Sequence, residues 1–416
     1  MKILLLNQCF YPDVVSTAQH LTDLAVELAE RGNSVTVLTS DRGYDDPGIK
    51  FKRSEHWRGV QIIRIPSLSL GKSSKWRRAL NFGSFLMCCA LRLLTLGRFD
   101  VVVALTSPPL ISFLAALFVK LRGGRFCFWV MDLNPDEAIA AGWLRPDSLI
   151  AKLLQRMLIF SLKTASQTVV LDRFMKDRIL AKAIAPEKTL IVPPWSHDHA
   201  VSYNETGRQQ FRTAHLLAES FVVMYSGNHS PCHPLDTLLT AAQELAPFRE
   251  IKFVFVGGGS EKAKVREFAS EMKLNNILCL PYEPLDTLSH SLSAADLHVI
   301  VMGDRFVGVV HPCKIYNIMT IGTPSLYIGP SQSHITDIAE ANEKHTFLLS
   351  QHGDTATVVN SILNTFKSGP SHRTKMNAEV PHAFGKAQLL PRLVHAIEQN
   401  GFNSTTISDS VAPDPV

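Results

Sequence analysis

This sequence of 416 residues lacks the features of several protein classes. Its seven cysteines do not have the regular spacing of a disulfide framework, which favours reduced thiols in a cytosolic compartment. The two longest apolar stretches, 79–96 and 101–120, are broken by polar residues and prolines, so neither supplies the ~18 apolar residues of a membrane-spanning helix. The N-terminus has one Lys and only a short apolar run, which is typical of a first strand rather than a signal peptide. We expect a protein that is soluble or peripheral to a membrane.

Acidic residues are scarce in one part of the chain. Between His56 and Met131 there are 11 basic residues, and Asp100 is the only acidic one. The net charge of +5 is thus the sum of +10 over residues 1–195 and −5 over 196–416. This split indicates an anionic partner for the first half, such as phosphate, nucleic acid or a membrane surface, although solvated helix faces explain it equally well. A hydrophobic fraction of 46% excludes a disordered or fibrous chain.

Strands and helices alternate along most of the chain. Nearly continuous apolar strands separated by helices predict parallel sheets that are covered on both faces. In the first half, strands are predicted at Lys2–Asn7, Ser34–Thr39, 60–65, 99–105, 125–130, 167–171 and 189–192. The helices between them are predicted at 17–31, 74–96, 109–122, 147–164 and 173–184, with Ser16 or Thr17 able to cap the first. In the second half, strands are predicted at 221–226, 251–256, 276–280, 296–301 and 324–329.

The alternation divides the chain into two doubly wound α/β domains. A proline-rich break after Val192 places the boundary near residue 195. The predicted domains are 1–195 and 196–383, followed by a closing helix at 384–399 and a disordered tail at 400–416. Two such domains are expected to face each other across a cleft at the carboxyl ends of their strands, where ligands bind.

The turn after the first strand contains no glycine, which makes a dinucleotide-binding turn improbable there. Its residues Ser16 and Thr17 open a helix and could present backbone N–H groups to a ligand. Asp132 and Asp136 follow another buried strand of this domain. The position of Asp132 suits a hydrogen bond to a sugar or to an acceptor hydroxyl, whereas Asp136 also fits an ordinary helix start.

Two strand-end loops of the second domain carry candidate phosphate ligands. One contains Gly227, Asn228, His229 and His233, and the other runs from His311 through Cys313 to Lys314 at the start of a helix. A lysine at a helix N-terminus combines a point charge with exposed backbone donors, as a phosphate requires. The histidines and cysteines could instead be metal ligands, but their spacing matches no standard zinc module.

Further loops of this domain also follow strands. Gly257 and Gly258 belong to a triple glycine that permits close backbone approach, although a plain turn explains it almost as well. Tyr282 lies in a third loop, which suits contact with a nucleotide base.

The order and spacing of several segments resemble retaining GT-B glycosyltransferases of family 4, in particular the branch of bacterial surface-polysaccharide and colanic-acid type. The segments are FYPDVVSTAQHLTDLAVELAERGNSVTVLTS, the turn Asp132–Asp136, YSGNHSPCHPLDTLL, VFVGGG and HPCKIYNIMTIGTP. The resemblance spans about residues 2–400 and implies two Rossmann-like domains. It also implies a nucleotide-sugar donor on the second domain, an acceptor on the first, and no required metal.

The sequence departs from the family pattern at several positions. Ser16-Thr17 stand where many members have Gly-Gly, and Met131 replaces a histidine. Asn228 and His233 stand where members often have Arg and Lys, and the paired glutamates fall on Val309 and Asn317. The resemblance then implies that Lys314, with His229, His233 and His311, supplies the positive charge around the diphosphate, and that Asn317 keeps only a ribose contact.

The sequence therefore predicts transfer of a sugar from a nucleoside diphosphate sugar to a hydroxyl of a lipid-linked or polysaccharide-precursor acceptor. Lys314, His233 and Asp132 are the candidate catalytic residues, and no cofactor is expected. A nucleotide-sugar epimerase or hydrolase and a catalytically silent binding protein are the alternatives. Residues 72–96 start with Lys72, Lys75, Arg77 and Arg78 before an apolar run, a pattern suited to an anionic leaflet at the inner face of the cytoplasmic membrane. No motif supports nucleic-acid binding.

Overall fold

The computed structural model describes residues 1–43, 48–68, 70, 75–196, 201–342, 345–369 and 383–399. Lys72 and the predicted tail 400–416 lie outside these residues, as does the side chain of Lys75. The chain forms two compact units. The first comprises Met1–Pro194, the short segment Gly308–Val310 and the end of the last helix from Leu389, and the second comprises Trp195–Val307 and His311–Gln388.

The first unit is built on an eight-stranded sheet. Its strands are β1 (Lys2–Leu6), β2 (Ser34–Ser40), β3 (Ser54–Trp57), β4 (Val60–Ile65), β5 (Val101–Ala104), β6 (Arg125–Trp129), β7 (Gln167–Val170) and β8 (Thr189–Ile191). They lie in the order β3-β4-β2-β1-β5-β6-β7-β8. Ile3–Leu6 of the central strand are fully buried, because helices cover both faces of the sheet. The order reverses at β1, so the predicted doubly wound topology is confirmed.

One edge of this sheet differs from the prediction of purely parallel strands. β3 pairs antiparallel with β4, and Trp57 lies opposite Val60. The two residues between them, Arg58 and Gly59, have φ angles of +47° and +76°, the conformation of a tight two-residue hairpin turn. The sequence Ser54–Trp57 is polar and short, so its hydrophobicity did not mark it as a strand.

Helices within the described residues cover the sheet of the first unit. They are α1 (Ser16–Glu30), α2 (Lys75–Thr95), α3 (Ile111–Arg122), α4 (Asp136–Ala140), α5 (Leu149–Thr164) and α6 (Arg173–Leu180). The chain moves from β1 to β2 in one direction and from β4 through β7 in the other. Right-handed crossovers therefore place α1 on one face and α2, α3 and α5 on the opposite face. Among the described residues, no helix is both long enough and apolar enough to cross a membrane.

The second unit is built on a six-stranded parallel sheet. Its strands are β9 (Phe221–Ser226), β10 (Ile251–Val256), β11 (Ile277–Leu280), β12 (Leu297–Val301), β13 (Ser325–Ile328) and β14 (Phe347–Ser350), in the order β11-β10-β9-β12-β13-β14. The five predicted strands are confirmed, and β14 is additional. The strand order reverses between β9 and β12, which makes their carboxyl ends the expected ligand-binding position of this unit.

Helices also cover the second sheet. They are α7 (Glu205–Ala214), α8 (Asp236–Glu244), α9 (Lys262–Glu271), α10 (Leu288–Ser293), α11 (Lys314–Ile321), α12 (His334–Ala341) and α13 (Thr355–Lys367). The last helix, α14 (Lys386–Glu398), begins in the second unit and ends in the first. There Arg125 donates to the carbonyl oxygens of Ile397 and Glu398, both at 3.2 Å.

Candidate functional site

The loops that follow β9 and β10 are joined by backbone hydrogen bonds. Gly227, which has a φ of +136°, donates its N–H to the carbonyl of Val256 at 2.9 Å. The N–H of His229 donates to the carbonyl of Gly258 at 2.7 Å. The Tyr225 hydroxyl donates to the carbonyl of Asn228 at 2.7 Å and holds the loop from below. The residues of these two loops that were predicted to bind the nucleotide-sugar donor therefore form one connected surface at the carboxyl ends of the strands.

The triple glycine is explained by contacts within the protein. A β-carbon at Gly257 would lie 2.0 Å from the carbonyl oxygen of Gly227, and one at Gly259 would lie 2.2 Å from that of His229. A β-carbon at Gly258 would lie 2.8 Å from the ring of Tyr282, which is 47% exposed. The glycines thus let the β9 loop and an exposed aromatic ring approach the backbone. The Tyr282 ring thus lies half exposed beside the glycine loop.

Lys314 lies against this surface from the start of α11. Its Nζ is 3.5 Å from the centroid of the Tyr225 ring, and a β-carbon at Gly227 would lie 3.1 Å from it. The Nζ atom is buried, and no hydrogen-bond partner reaches it from the described residues. Burial lowers the pKa of Lys314 from 10.5 to about 7. An anionic ligand oxygen would satisfy a buried donor that the protein itself leaves with only an aromatic face.

Two predicted histidines lie beside Lys314 and are neutral at physiological pH. The Nδ1 of His229 is 3.2 Å from the carbonyl oxygen of Gly258, and that of His233 is 2.7 Å from the carbonyl oxygen of Val301. Burial, and then the charge of Lys314, lowers their pKa values to about 4 and about 3. At His233 the nearby carbonyl of Val301 places the proton on Nδ1, so Nε2 presents a lone pair. Neutral imidazoles of this tautomer accept hydrogen bonds from hydroxyl groups and leave Lys314 as the cation among these three.

The other residues of the α11 loop are placed differently. His311 is buried, its Nε2 lies 2.7 Å from the hydroxyl of Tyr316, and its ring stacks on that of His334 with centroids 3.8 Å apart. Cys313 precedes the first helical residue, and Asn317 lies one turn further along α11, both half-buried. His311 is thus engaged with α11 and α12 rather than with the carbonyls around His229 and His233.

Lys262 is a residue of this surface that the sequence did not single out. The side chain is buried, and its Nζ donates to the carbonyl oxygens of Gly257 and Leu280, which end β10 and β11. Burial, and then the charge of Arg266, lowers its pKa. Lys262 thereby ties the glycine loop to the next strand. The sequence signal that could have identified Lys262 is its position three residues after Gly-Gly-Gly.

In the first unit, Asp132 lies at the carboxyl end of β6, as predicted. Its backbone N–H donates to Thr106 Oγ1 at 3.2 Å. Burial, and then the neighbouring carboxylate of Glu137, raises the pKa of Asp132 from 3.8 to about 8. A carboxyl group that keeps its proton near neutrality can both donate and accept a hydrogen bond.

The remaining residues predicted for the first unit make local contacts. Lys182 forms an ion pair with Asp136 at 2.8 Å, and Gln155 donates to the same carboxylate at 2.9 Å. These contacts join α4 to α5 and to the turn that follows α6. Ser16 is the first residue of α1, with its Oγ 3.3 Å from His20 Nδ1, and Thr17 follows it. Neither caps the helix as predicted, because the N-cap position is Val15, which has no side-chain oxygen.

Comparison with known proteins connects both units to one enzyme class. Residues 17–195 match the model of the glycosyl transferase 4-like domain. The putative colanic acid biosynthesis glycosyl transferase WcaI of Escherichia coli is 23% identical over 82% of this chain and 86% of its own length.

Solved structures share the fold over nearly the whole chain. Sucrose-phosphate synthase of Thermosynechococcus elongatus has a TM-score of 0.72 at 17% identity, with 95% of this chain and 98% of the other covered. HepE of Anabaena, solved in complex with UDP and glucose, has a TM-score of 0.70 at 14% identity with the same coverage. Similarity at this level of identity concerns the fold.

Proposed function

We propose that this chain, which has the GT-B fold and is similar to family 4 glycosyltransferases, transfers a sugar from a nucleoside diphosphate sugar to a hydroxyl of a lipid-linked or polysaccharide-precursor acceptor. The anomeric configuration is retained, and no metal cofactor takes part. The name of the E. coli relative, which refers to colanic acid biosynthesis, supports this acceptor class. The complex of HepE with UDP and glucose supports the donor class.

The observation that carries the proposal is the buried Lys314 ammonium at the strand ends of the second unit. It lies beside Gly227, at the point where the strand order reverses, and lacks a hydrogen-bond partner among the described residues. The N-terminal turn of α11 adds backbone N–H groups and the positive end of the helix dipole. Together they form a place for a diphosphate, with Tyr282 available to stack on the base.

Transfer then requires charge stabilisation rather than a strong base. The bond between the anomeric carbon and the phosphate oxygen breaks, and the acceptor oxygen forms its bond to that carbon on the same face. The departing phosphate oxygen takes the acceptor proton. Lys314 and the start of α11 stabilise the negative charge that develops on the diphosphate. His233 accepts a hydrogen bond from a hydroxyl group of the donor, and the buried His229 holds the loop through the carbonyl of Gly258.

Asp132 is proposed to orient the acceptor hydroxyl. Its raised pKa lets it donate a hydrogen bond to the acceptor hydroxyl near neutral pH, and accept a hydrogen bond from that hydroxyl once it ionises. The contacts of Asp136 with Lys182 and Gln155 indicate a structural contribution, which places the neighbouring turn.

The test measures nucleoside diphosphate release from a panel of UDP-, GDP- and TDP-sugars, with and without an extract of lipid-linked saccharides. Release that requires the acceptor supports transfer, release without it supports a hydrolase, and binding without turnover supports a silent protein. An epimerase would change the sugar with no release. NMR of the new anomeric proton tests retention, and undiminished activity in EDTA tests the absence of a metal. Lys314→Ala with unchanged transfer would refute the site.

We also propose that the enzyme works at the inner face of the cytoplasmic membrane, with α2 on the anionic leaflet. In α2, Trp76 is 58% exposed and Met87 is 64% exposed, and Arg77 and Arg78 precede most of its apolar residues. Reversing the charges of Lys72, Lys75, Arg77 and Arg78 should release the protein from sedimenting anionic vesicles. Unchanged sedimentation of this variant would count against a contribution of α2.

A further inference from the structure

We infer that α2, α3 and α5 together form one docking face for an anionic lipid bilayer, which extends well beyond the α2 segment. This three-helix face is the outer surface of the helices that cover one side of the first unit's sheet. The inference rests on the proposed function for its biological setting, because a lipid-linked acceptor resides in a membrane. The face itself is defined by the contacts, exposure and charge of these helices.

The three helices form a continuous layer. Arg122 at the end of α3 donates to the carbonyl of Leu94 in α2 at 2.9 Å. Phe113 of α3 and Phe160 of α5 pack with ring centroids 5.5 Å apart, and the hydroxyls of Ser112 and Ser161 are 3.4 Å apart. The middle helix therefore contacts both neighbours, and the outward side chains of all three belong to one surface.

Large apolar side chains are exposed along the whole layer. Leu149 of α5 is 85% exposed and Leu121 of α3 is 76% exposed. The exposed apolar residues of the three helices are Trp76, Leu80, Met87, Leu91, Leu94, Leu117, Leu121, Leu149, Ile150 and Leu153. Soluble monomers rarely expose apolar side chains in such a continuous group, so this surface indicates a partner.

The charge on the same helices has a single sign. The sequences of α2, α3 and α5 contain four, two and three basic residues, and none of the three contains an acidic residue. On the opposite face of the sheet, α1 has the reverse composition, with Asp23, Glu27 and Glu30 and no basic residue. The basic excess of the first half is thus concentrated on the helix layer that also exposes apolar side chains.

Apolar residues interspersed with Lys and Arg fit a bilayer better than a protein. Leucine and tryptophan side chains enter the interface between headgroups and acyl chains, while the long basic side chains reach the lipid phosphates. A second copy of this chain would bring two positively charged faces together, which Coulomb repulsion opposes. Lysine is also depleted at the centre of protein interfaces. The binding partner of the three-helix face is therefore an anionic bilayer.

The experiment separates the three-helix face from α2 alone. The full chain is sedimented without donor sugar, using vesicles of pure phosphatidylcholine and of an equal mixture with phosphatidylglycerol. The double variant Leu149→Asp/Leu153→Asp changes α5 only, at positions remote in sequence from 72–96. Leu216→Asp is the matched control, since Leu216 is 90% exposed but belongs to the second unit.

We expect wild type and Leu216→Asp to sediment with the anionic vesicles and to be released by high salt. The α5 double variant and Lys152→Glu/Arg156→Glu should each partition at least about tenfold more weakly. Equal binding of the α5 variants and wild type would overturn the inference and confine docking to α2. Equal binding to neutral vesicles would refute charge complementarity.

Further outcomes distinguish a bilayer from a second copy of the chain, and the docking face from the proposed function. Dimerisation in sedimentation equilibrium that is lost in Leu149→Asp/Leu153→Asp would overturn the bilayer in favour of a second copy. Vesicle binding without detectable sugar transfer would leave the docking face intact and refute the proposed function. Sugar transfer without vesicle binding would refute the docking face and leave the proposed function intact. Unchanged circular dichroism and melting temperature of the variants would show that they fold.

Discussion

The Nζ of Lys314 lies 3.5 Å from the centroid of the Tyr225 ring. Tyr225 belongs to β9, the strand at which the second sheet reverses its order. The face of an aromatic ring attracts a cation but satisfies none of its N–H donors. The lysine is thus held in place before a ligand arrives and still has hydrogen bonds to make. Preorganised charge of this kind is effective in catalysis because it needs little rearrangement during the reaction.

Tyr225 should position Lys314. Tyr225→Leu removes the ring face as well as the hydroxyl that binds the Asn228 carbonyl, whereas Tyr225→Phe removes only the hydroxyl. We expect sugar transfer to fall by about tenfold or more in Tyr225→Leu, and by much less in Tyr225→Phe. Measuring kcat and KM for the donor in both variants checks this. Equal losses would show that the hydrogen bond to Asn228 matters and that the ring face does not.

Binding of a nucleoside diphosphate should weaken as the pH rises through about 7. The free enzyme loses the Lys314 ammonium over this range, since burial lowers its pKa to about 7. A bound diphosphate favours the ammonium and raises this pKa, so binding just above neutrality takes up a proton. The affinity should fall by at most about tenfold per pH unit, the limit for one proton.

Isothermal titration calorimetry in two buffers of different ionisation enthalpy measures this proton uptake. Lys314→Met is the control, because the diphosphate also ionises near this pH and would do so in both proteins. A proton count that is identical in Lys314→Met and wild type would show that Lys314 does not titrate on binding.

Two neighbouring glycines should respond differently to alanine. Gly259 has a φ of +124°, and a β-carbon there would lie 2.2 Å from the His229 carbonyl oxygen and 2.4 Å from Asn228 Oδ1. Gly258 has no positive φ, and its β-carbon meets only the Tyr282 ring, which can move. Gly259→Ala should destabilise the protein by about 1–3 kcal/mol or more and weaken nucleotide binding. Gly258→Ala should fold normally and alter chiefly the contact to the base.

Thermal melting and nucleotide titration of both glycine variants check this contrast. A Gly259→Ala protein as stable as wild type would mean that the β9 loop adjusts without cost. The surface formed by the loops after β9 and β10 would then be less rigid than its hydrogen bonds indicate.

Asp132→Asn should remove a pH dependence of stability. The folded pKa of Asp132, about 8, lies above its ordinary value of 3.8, so between these values the folded protein holds a proton that the unfolded chain has lost. The contribution of this group to stability is therefore complete below about pH 4 and decreases as the pH rises to about 8. The amide cannot ionise, so the melting temperature of the variant should decline less over this range. If the melting temperatures of wild type and Asp132→Asn declined equally from pH 5 to 8, the raised pKa of Asp132 would be contradicted.

The sequence pattern predicted most of the strands, because they are apolar runs between helices. It missed β3, which is an edge strand of polar residues, and β14, which is an apolar segment of only four residues. The pattern also predicted that the loops after β9 and β10 adjoin, since the carboxyl ends of parallel strands converge, whereas their binding role stays a prediction. What the pattern lacked were side-chain partners. It could not show that Lys182 pairs with Asp136, that His311 contacts Tyr316, or that Lys262 joins two strand ends.

The contact of Arg125 with the end of α14 has a consequence for the modular exchange of domains between related enzymes. The second unit is an insertion in the chain of the first, because residues from Leu389 return to pack with β6. A chimaera made with a single crossover near residue 195 would unite this Arg125 with a foreign helix end. Recombination that preserves the first unit must therefore cut the gene twice, and both ends of the chain must come from one parent.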